Sequence, residues 1–243
     1  MGFGKRAERY QQLGNNMELV CYTHSDYKFV WPYWEGQMEK YLLNLDWTVI
    51  TDRSEDTDFK EYDKFYYEDG LGYKNRLLTT LGQMDPSLVI LFSHEDMFLM
   101  GEPDMWKLRE FEKLVEDDKA DCIKLIRAED HLVKSDLHPN LYENPPHLKF
   151  AIQPTIIKVK TLMNILEQAK GVTIWELESS MFVTTAISDK RTFFCYNGEE
   201  KRGSSHYDSS IYPYIATAVV KGEWNLAEYK KELKVLFQEY AGA

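Results

Sequence analysis

A chain of 243 residues, 44% hydrophobic and 14% aromatic, has the apolar material for a folded core and excludes a disordered chain. Its formal net charge of -11 argues against a dedicated nucleic-acid binder, so an anionic ligand would need a metal or local Arg and Lys rather than an attractive overall field. Cys21, Cys122 and Cys195 are odd in number and form no C-x-x-C pair, which fits a reducing compartment. There is no apolar signal core and no apolar run of membrane-spanning length, so the expectation is a cytoplasmic protein without a transmembrane segment.

Residues 1–16 are polar and read as an N-terminal arm, leaving 17–243 as one domain. Residues 18–23 form a compact apolar strand that runs into the polar loop His24, Ser25 and Asp26. Trp34, Met38, Tyr41, Leu42 and Leu45 recur at helical spacing, and residues 47–51 form a second strand ending at Asp52 and Arg53. Strand, helix, strand is the opening of a doubly wound α/β sheet. An acidic, aromatic connection with a short strand at 64–67 leads to a helix over 73–84, which Asp85 and Pro86 stop. Residues 87–92 are continuously apolar with β-branched members, the pattern of a buried strand, and give way abruptly to Ser93, His94, Glu95 and Asp96.

Residues 105–115 carry Leu108, Phe111, Leu114 and Val115 on one helical stripe, followed by a strand at 122–126. Residues 127–147 read as a long loop of the binding type, after which extended structure resumes at 150–157 and a helix covers 160–169. A further helix spans 175–186, a strand 192–196, a second polar loop 199–210, and a charged helix closes the chain from 226.

Acids at the carboxyl end of a buried strand are informative, because ligands of open α/β sheets bind there. Glu95 and Asp96 hold that place, and two adjacent oxygen donors suit Mn²⁺ or Mg²⁺, although a plain solvated turn has the same composition. Glu176 and Glu178 are candidates for a general base that would deprotonate a hydroxyl; two residues apart on a helix, they cannot share a face. Acids in a first helical turn are also favoured by the macrodipole alone. The histidines show no metal-ligand spacing, and there is no G-x-S-x-G, P-loop or G-x-G-x-x-G signature. Trp31, Tyr33, Trp34, Tyr66, Tyr67 and Trp106 offer aromatic faces for sugar rings, or simply core.

The run 88–99, preceded by Tyr73, Lys74, Asn75, Arg76, Leu77 and Leu78, resembles the donor-site region of GT-A glycosyltransferases that build bacterial or large-virus surface glycans. The similarity continues through 150–154 and 175–178 to 220–224. It implies a GT-A-like (Rossmann-like), mixed, mainly parallel central sheet flanked by helices in a single domain. Residues 17–100 would be the nucleotide-sugar half, 101–225 the acceptor half and 226–243 a terminal helix.

In that family an Asp-x-Asp motif binds the metal bridging the sugar-nucleotide diphosphate. Asp96 matches the last acid, Glu95 stands beside it, and His94 occupies the first position. The resemblance further implies a nucleotide site from Thr23, Ser25, Asp26, Asp52 and Arg53, a phosphate contact from Arg76, and an extra metal or diphosphate ligand from His206. Each has an ordinary alternative as turn former, surface pair, helix face or loop residue. The expectation is transfer from a UDP-linked sugar donor to a hydroxyl of a glycan acceptor, with Mn²⁺ or Mg²⁺ as cofactor and no nucleic-acid partner. The alternatives are a metal-dependent nucleotide-sugar or phosphate-ester hydrolase using the same acids, and a non-catalytic glycan-binding domain that keeps the fold without the chemistry.

Overall fold

The computed structural model describes residues 17–42, 45–52, 62–127, 132–144, 152–169, 173–179, 192–195, 201–202 and 206–241, with backbone alone at 175, 178–179, 192–195, 201–202 and 206. One nine-stranded sheet runs through them. Its strands are β1 (Glu18–Tyr22), β2 (Asp46–Asp52), β3 (Asp63–Tyr67), β4 (Val89–His94), β6 (Cys122–Lys124), β7 (Val133–Lys134), β8 (Leu141–Glu143), β9 (Thr155–Lys158) and β10 (Thr192–Cys195), while β5 (Phe98–Leu99) lies outside it. The order is β3-β2-β1-β4-β9-β6-β10-β8-β7, and β9 and β8 run against the other seven. This is a mixed, mainly parallel α/β sheet flanked by helices, as the alternation of strand and helix periods leads one to expect.

The alternation along the central strands assigns two faces. Leu19 and Cys21 of β1 and Leu91 of β4 belong to one apolar cluster, whereas Val20, Tyr22, Ile90 and Phe92 belong to the other. Helices α1 (Trp31–Tyr41), α3 (Met105–Glu116) and α6 (Leu226–Glu239) cover the first face. Helices α2 (Tyr73–Leu81), α4 (Val159–Gln168) and α5 (Ile174–Ser179) cover the second. Among the described residues no helix is long and apolar enough to cross a membrane.

Two differences from the sequence reading matter for the site. The strand ending at Phe92 by hydropathy continues through Ser93 and His94, because β1 pairs in register down to Tyr22 opposite His94. Backbone pairing, not apolarity, sets where a strand ends. Likewise β7 and β8 lie inside the segment read as one loop and join the sheet edge through β10. Strands of two or three residues are too short to show a period.

The chain then returns over the end of β4. Besides the hairpin β11 (Lys201–Arg202) and β12 (His206–Tyr207), β13 (Tyr214–Ile215) pairs with β5, and β14 (Val219–Val220) pairs with β15 (Glu223–Trp224) before α6 begins.

Candidate active site at the end of strand β4

The tip of β4 carries three side chains with metal-ligating atoms: His94, Glu95 and Asp96 each place one within 4.8 Å of the others. His94 and Glu95 are buried and Asp96 is partly so. Burial is unusual for two adjacent acids, because an ionised carboxylate loses its hydration. Desolvation, then repulsion from Asp96, raises the Glu95 carboxyl well above the usual carboxylate range, against a hydrogen bond from the Thr23 side chain that lowers it. Desolvation likewise raises Asp96 to about 6, against the Val219 N–H, which donates to its carboxylate and lowers it.

Each neighbouring group has a placement. Thr23, fully buried just beyond β1, accepts a hydrogen bond from Trp31 Nε1 at 2.8 Å, and its carbonyl accepts from Tyr67 Oη at 2.7 Å. The Thr23 hydroxyl therefore links Trp31 of α1 to Glu95. His94 packs among Tyr22, Tyr73 and Phe92, with ring centroids 5.2, 5.7 and 5.7 Å away, and its Nε2 shares a hydrogen bond with Tyr73 Oη at 2.9 Å. Burial lowers its pKa to about 3, so the ring is neutral throughout the physiological range.

The loop after β1 is locked onto the end of β2. Ser25 donates to Asp52 twice, from its N–H at 2.7 Å and its Oγ at 2.5 Å. Desolvation would raise the Asp52 carboxyl, but these donors outweigh it and hold the group below its ordinary value. Asp26 faces solvent in the same turn, its N–H accepted by His24 Nδ1 at 3.0 Å. His24 Nε2 in turn lies 2.8 Å from Asp69 Oδ1.

Arg76 has several partners. Its guanidinium donates to the Asp69 carboxylate at 2.9 Å, the Asp69 carbonyl at 2.6 Å and the Leu71 carbonyl at 2.7 Å, and stacks over the Tyr67 ring at 4.8 Å. It fastens residues 69–71 beneath the β1 loop. Glu176 forms a capping box at the start of α5: its carboxylate accepts from Thr173 N–H and Oγ1, both at 3.0 Å, and its own N–H donates to Thr173 Oγ1. The side chains of Glu178 and His206, and all of Arg53, lie outside the described residues. Of the aromatic residues named from the sequence, Trp31, Trp34 and Tyr67 are buried in the core, and Trp106 is 58% exposed.

Thr23, His94, Glu95 and Asp96 thus converge at the carboxyl ends of β1 and β4, and Ser25 is locked to Asp52 at the neighbouring end of β2. Sequence reasoning missed Tyr73 as the partner of His94 and Val219 as the backbone donor to Asp96. It also missed Tyr27, whose hydroxyl is raised by burial and then by the charges of Glu95 and Asp96. A Tyr close after a β1 loop is a weak signal that was available; a backbone N–H leaves none.

Two adjacent carboxylates and an imidazole make a donor set of hard oxygens plus one nitrogen, a set that Mg²⁺ or Mn²⁺ can use. The mutual repulsion of Glu95 and Asp96 is what a cation would relieve, so the residues fit such an ion.

No protein-family model matches the chain, and no curated protein does. Among solved structures it is similar to a 4-diphosphocytidyl-2C-methyl-D-erythritol synthase, at 12% identity over 75% of this chain and 90% of that one, with a TM-score of 0.47. It is similar to the bifunctional glycosyltransferase WbbM, at 9% identity over 78% of this chain and 48% of that one, with a TM-score of 0.41. It is also similar to mannose-6-phosphate isomerase from Helicobacter pylori, at 10% identity over 75% of this chain and 87% of that one, with a TM-score of 0.38. All three likenesses are loose.

Proposed function

We propose that the chain is a divalent-cation-dependent glycosyltransferase on a GT-A-like scaffold, moving a sugar from a nucleoside diphosphate donor, UDP-linked, to a hydroxyl of a glycan. The observation that carries the reading is the convergence of His94, Glu95 and Asp96, with ligating atoms within 4.8 Å of one another, at the carboxyl end of a central parallel strand. That is where open α/β sheets bind ligands, and a buried acid beside a partly buried one, with no cationic partner among the described residues, is otherwise an unfavourable arrangement.

In this reading Asp96 and Glu95 hold Mn²⁺ or Mg²⁺, and His94 lies within reach as a third donor. The ion, when bound, supplies Lewis acidity to the departing diphosphate. Val219 N–H and the Thr23 hydroxyl orient the two carboxylates. The turn at Ser25 and Asp26, fixed to Asp52, faces the nucleotide. The residue that accepts the acceptor's proton is assigned to Glu178, since the carboxylate of Glu176 is engaged at its own helix start. Residues 127–147 and 199–210 are proposed to shape the acceptor side.

The test is a thermal melt with and without UDP and Mn²⁺, followed by a screen of nucleotide sugars for Mn²⁺-dependent turnover. A ligand that binds only the folded state must raise the melting temperature, by an amount equivalent to about 2.7 kcal/mol at a hundredfold excess over Kd. No shift with any nucleoside diphosphate would sink the proposal. Turnover indifferent to added glycans would make the protein a nucleotide-sugar hydrolase instead.

A further inference from the structure

The segment between β13 and α6 is built in a way that the cation site alone does not explain. Thr217, a β-branched residue, has φ 53, a backbone conformation that such side chains strongly disfavour. The turn it makes presents two successive N–H groups to one residue. Ala218 N–H donates to the Asp96 carbonyl at 3.0 Å, and the next amide, Val219 N–H, faces the Asp96 carboxylate closely enough to lower its pKa. Beyond it, Lys221 (φ 53) and Gly222 (φ 81) close the β14–β15 hairpin with the two positive φ values of a type I′ turn, returning the chain to Asn225.

Asn225 is bonded in two directions. Its N–H donates to the Ala218 carbonyl at 2.8 Å and its Nδ2 to the Thr217 carbonyl at 3.2 Å. Its Oδ1 accepts the Glu228 N–H at 3.3 Å and so caps the first turn of α6. One side chain therefore holds both the strained turn and the start of the terminal helix.

We propose that residues 217–225 are a clamp that fixes the orientation of Asp96 for a divalent cation, with Asn225 as the positioning residue that couples the clamp to α6. The proposal rests on the cation site described under Proposed function. Asp96 is fixed at its carbonyl by the Ala218 amide while its carboxylate faces the adjacent one, so a shift of the turn moves the ligand oxygen. The Asn225 amide opposes such a shift from the far side. Cation binding and order at the start of α6 are then linked, each favouring the other.

The variant Asn225→Ser separates capping from clamping, because Ser is an N-cap comparable to Asn but lacks the amide that reaches Thr217. Mn²⁺ affinity is read by the electron paramagnetic resonance of free Mn²⁺, and stability by melting in EDTA. The expected result is a melt in EDTA lowered by only a few degrees with Mn²⁺ Kd weakened roughly fivefold, the effect of one lost hydrogen bond. A Kd within twofold of wild type overturns the clamp.

Hydrogen exchange on the wild-type protein decides the matter independently, should the variant fold poorly. Amides 218, 219 and 225–229 are expected to slow on Mn²⁺ addition more than those of α2; no preferential slowing overturns the coupling. If wild type binds no Mn²⁺ at all, the cation site itself fails, a result distinct from either of these.

Discussion

Replacing Asp96 with Asn turns the electrostatics of the site into a measurable stability change. Asp96 is raised from an ordinary 3.8 to about 6 by desolvation. A carboxyl raised on folding is deprotonated more readily in the unfolded chain, so it weakens the metal-free protein increasingly as pH rises from 3.8 through 6, with the full penalty above that. Two pKa units at 1.36 kcal/mol each give a penalty on the order of 3 kcal/mol at pH 8, falling below about 1 kcal/mol at pH 4. Asn keeps an oxygen for the Val219 N–H and removes the charge. In EDTA at pH 8 the variant should therefore melt about 6–12 °C above wild type, at the few degrees per kcal/mol typical of a protein this size. The gain should nearly vanish at pH 4. Saturating Mn²⁺ should then raise wild type and leave the variant unmoved, closing or inverting the gap. Differential scanning calorimetry at the two pH values, with EDTA or Mn²⁺, measures all four conditions. A variant no more stable than wild type at pH 8 in EDTA, or equally stabilised at both pH values, would refute the assignment of a buried, uncompensated carboxylate.

The same groups set a pH dependence for the cation: both Glu95 and Asp96 must give up their protons to bind it, so Mn²⁺ affinity should rise with pH through about 6, as isothermal titration in several buffers can show. His94, lowered to about 3 by burial, should show no imidazole titration by NMR between pH 5 and 8. Because its unfolded value is the higher one, it adds a loss of stability as pH falls below about 6.5. Gly36 lies where any Cβ would meet the Tyr240 ring, so Gly36→Ala should turn that ring off α1 and lower stability by up to about 1 kcal/mol, read from denaturant melts. Leu91→Ala, in the middle of β4 with no exposed surface, should cost about 2–5 kcal/mol by the same assay.

How much of this was legible in the sequence depends on the range of the interaction. Strand β4 and the acids at its tip are local signals: a continuous apolar run followed by charge can be read in a dozen residues, and helices α1 and α3 show an equally local stripe in Trp34 and Met38 or in Leu108 and Phe111. Ser93 and His94 could not be read as strand, since their burial comes from pairing with β1 and from Tyr73 and Tyr22, all distant in sequence. The resemblance implies a phosphate contact for Arg76; its bonds to Asp69 and Leu71 could not be read beforehand, because they depend on a turn with no composition of its own. Glu176 was ambiguous by nature, for a capping box and a catalytic carboxylate need the same residue at the start of a helix. The aromatic residues were the least informative, because size alone does not separate buried Trp34 from exposed Trp106.

What the sequence could not convey at all is the return of the chain over the site, and this is the part with the most specific chemistry. The acids sit at the end of β4 by strand periodicity, but an acid in that position is ordinarily solvated. Glu95 is buried because Thr23 and Trp31 close one side, and Asp96 is held because the turn at Thr217 closes the other. Both closures use groups that are individually unfavourable: a β-branched residue at positive φ and two carboxylates raised by desolvation. A fold under selection for stability alone would exchange Thr217 for Gly and one acid for an amide. Their joint presence around three ligating atoms within 4.8 Å is the ground on which we propose a bound cation, which would offset the loss.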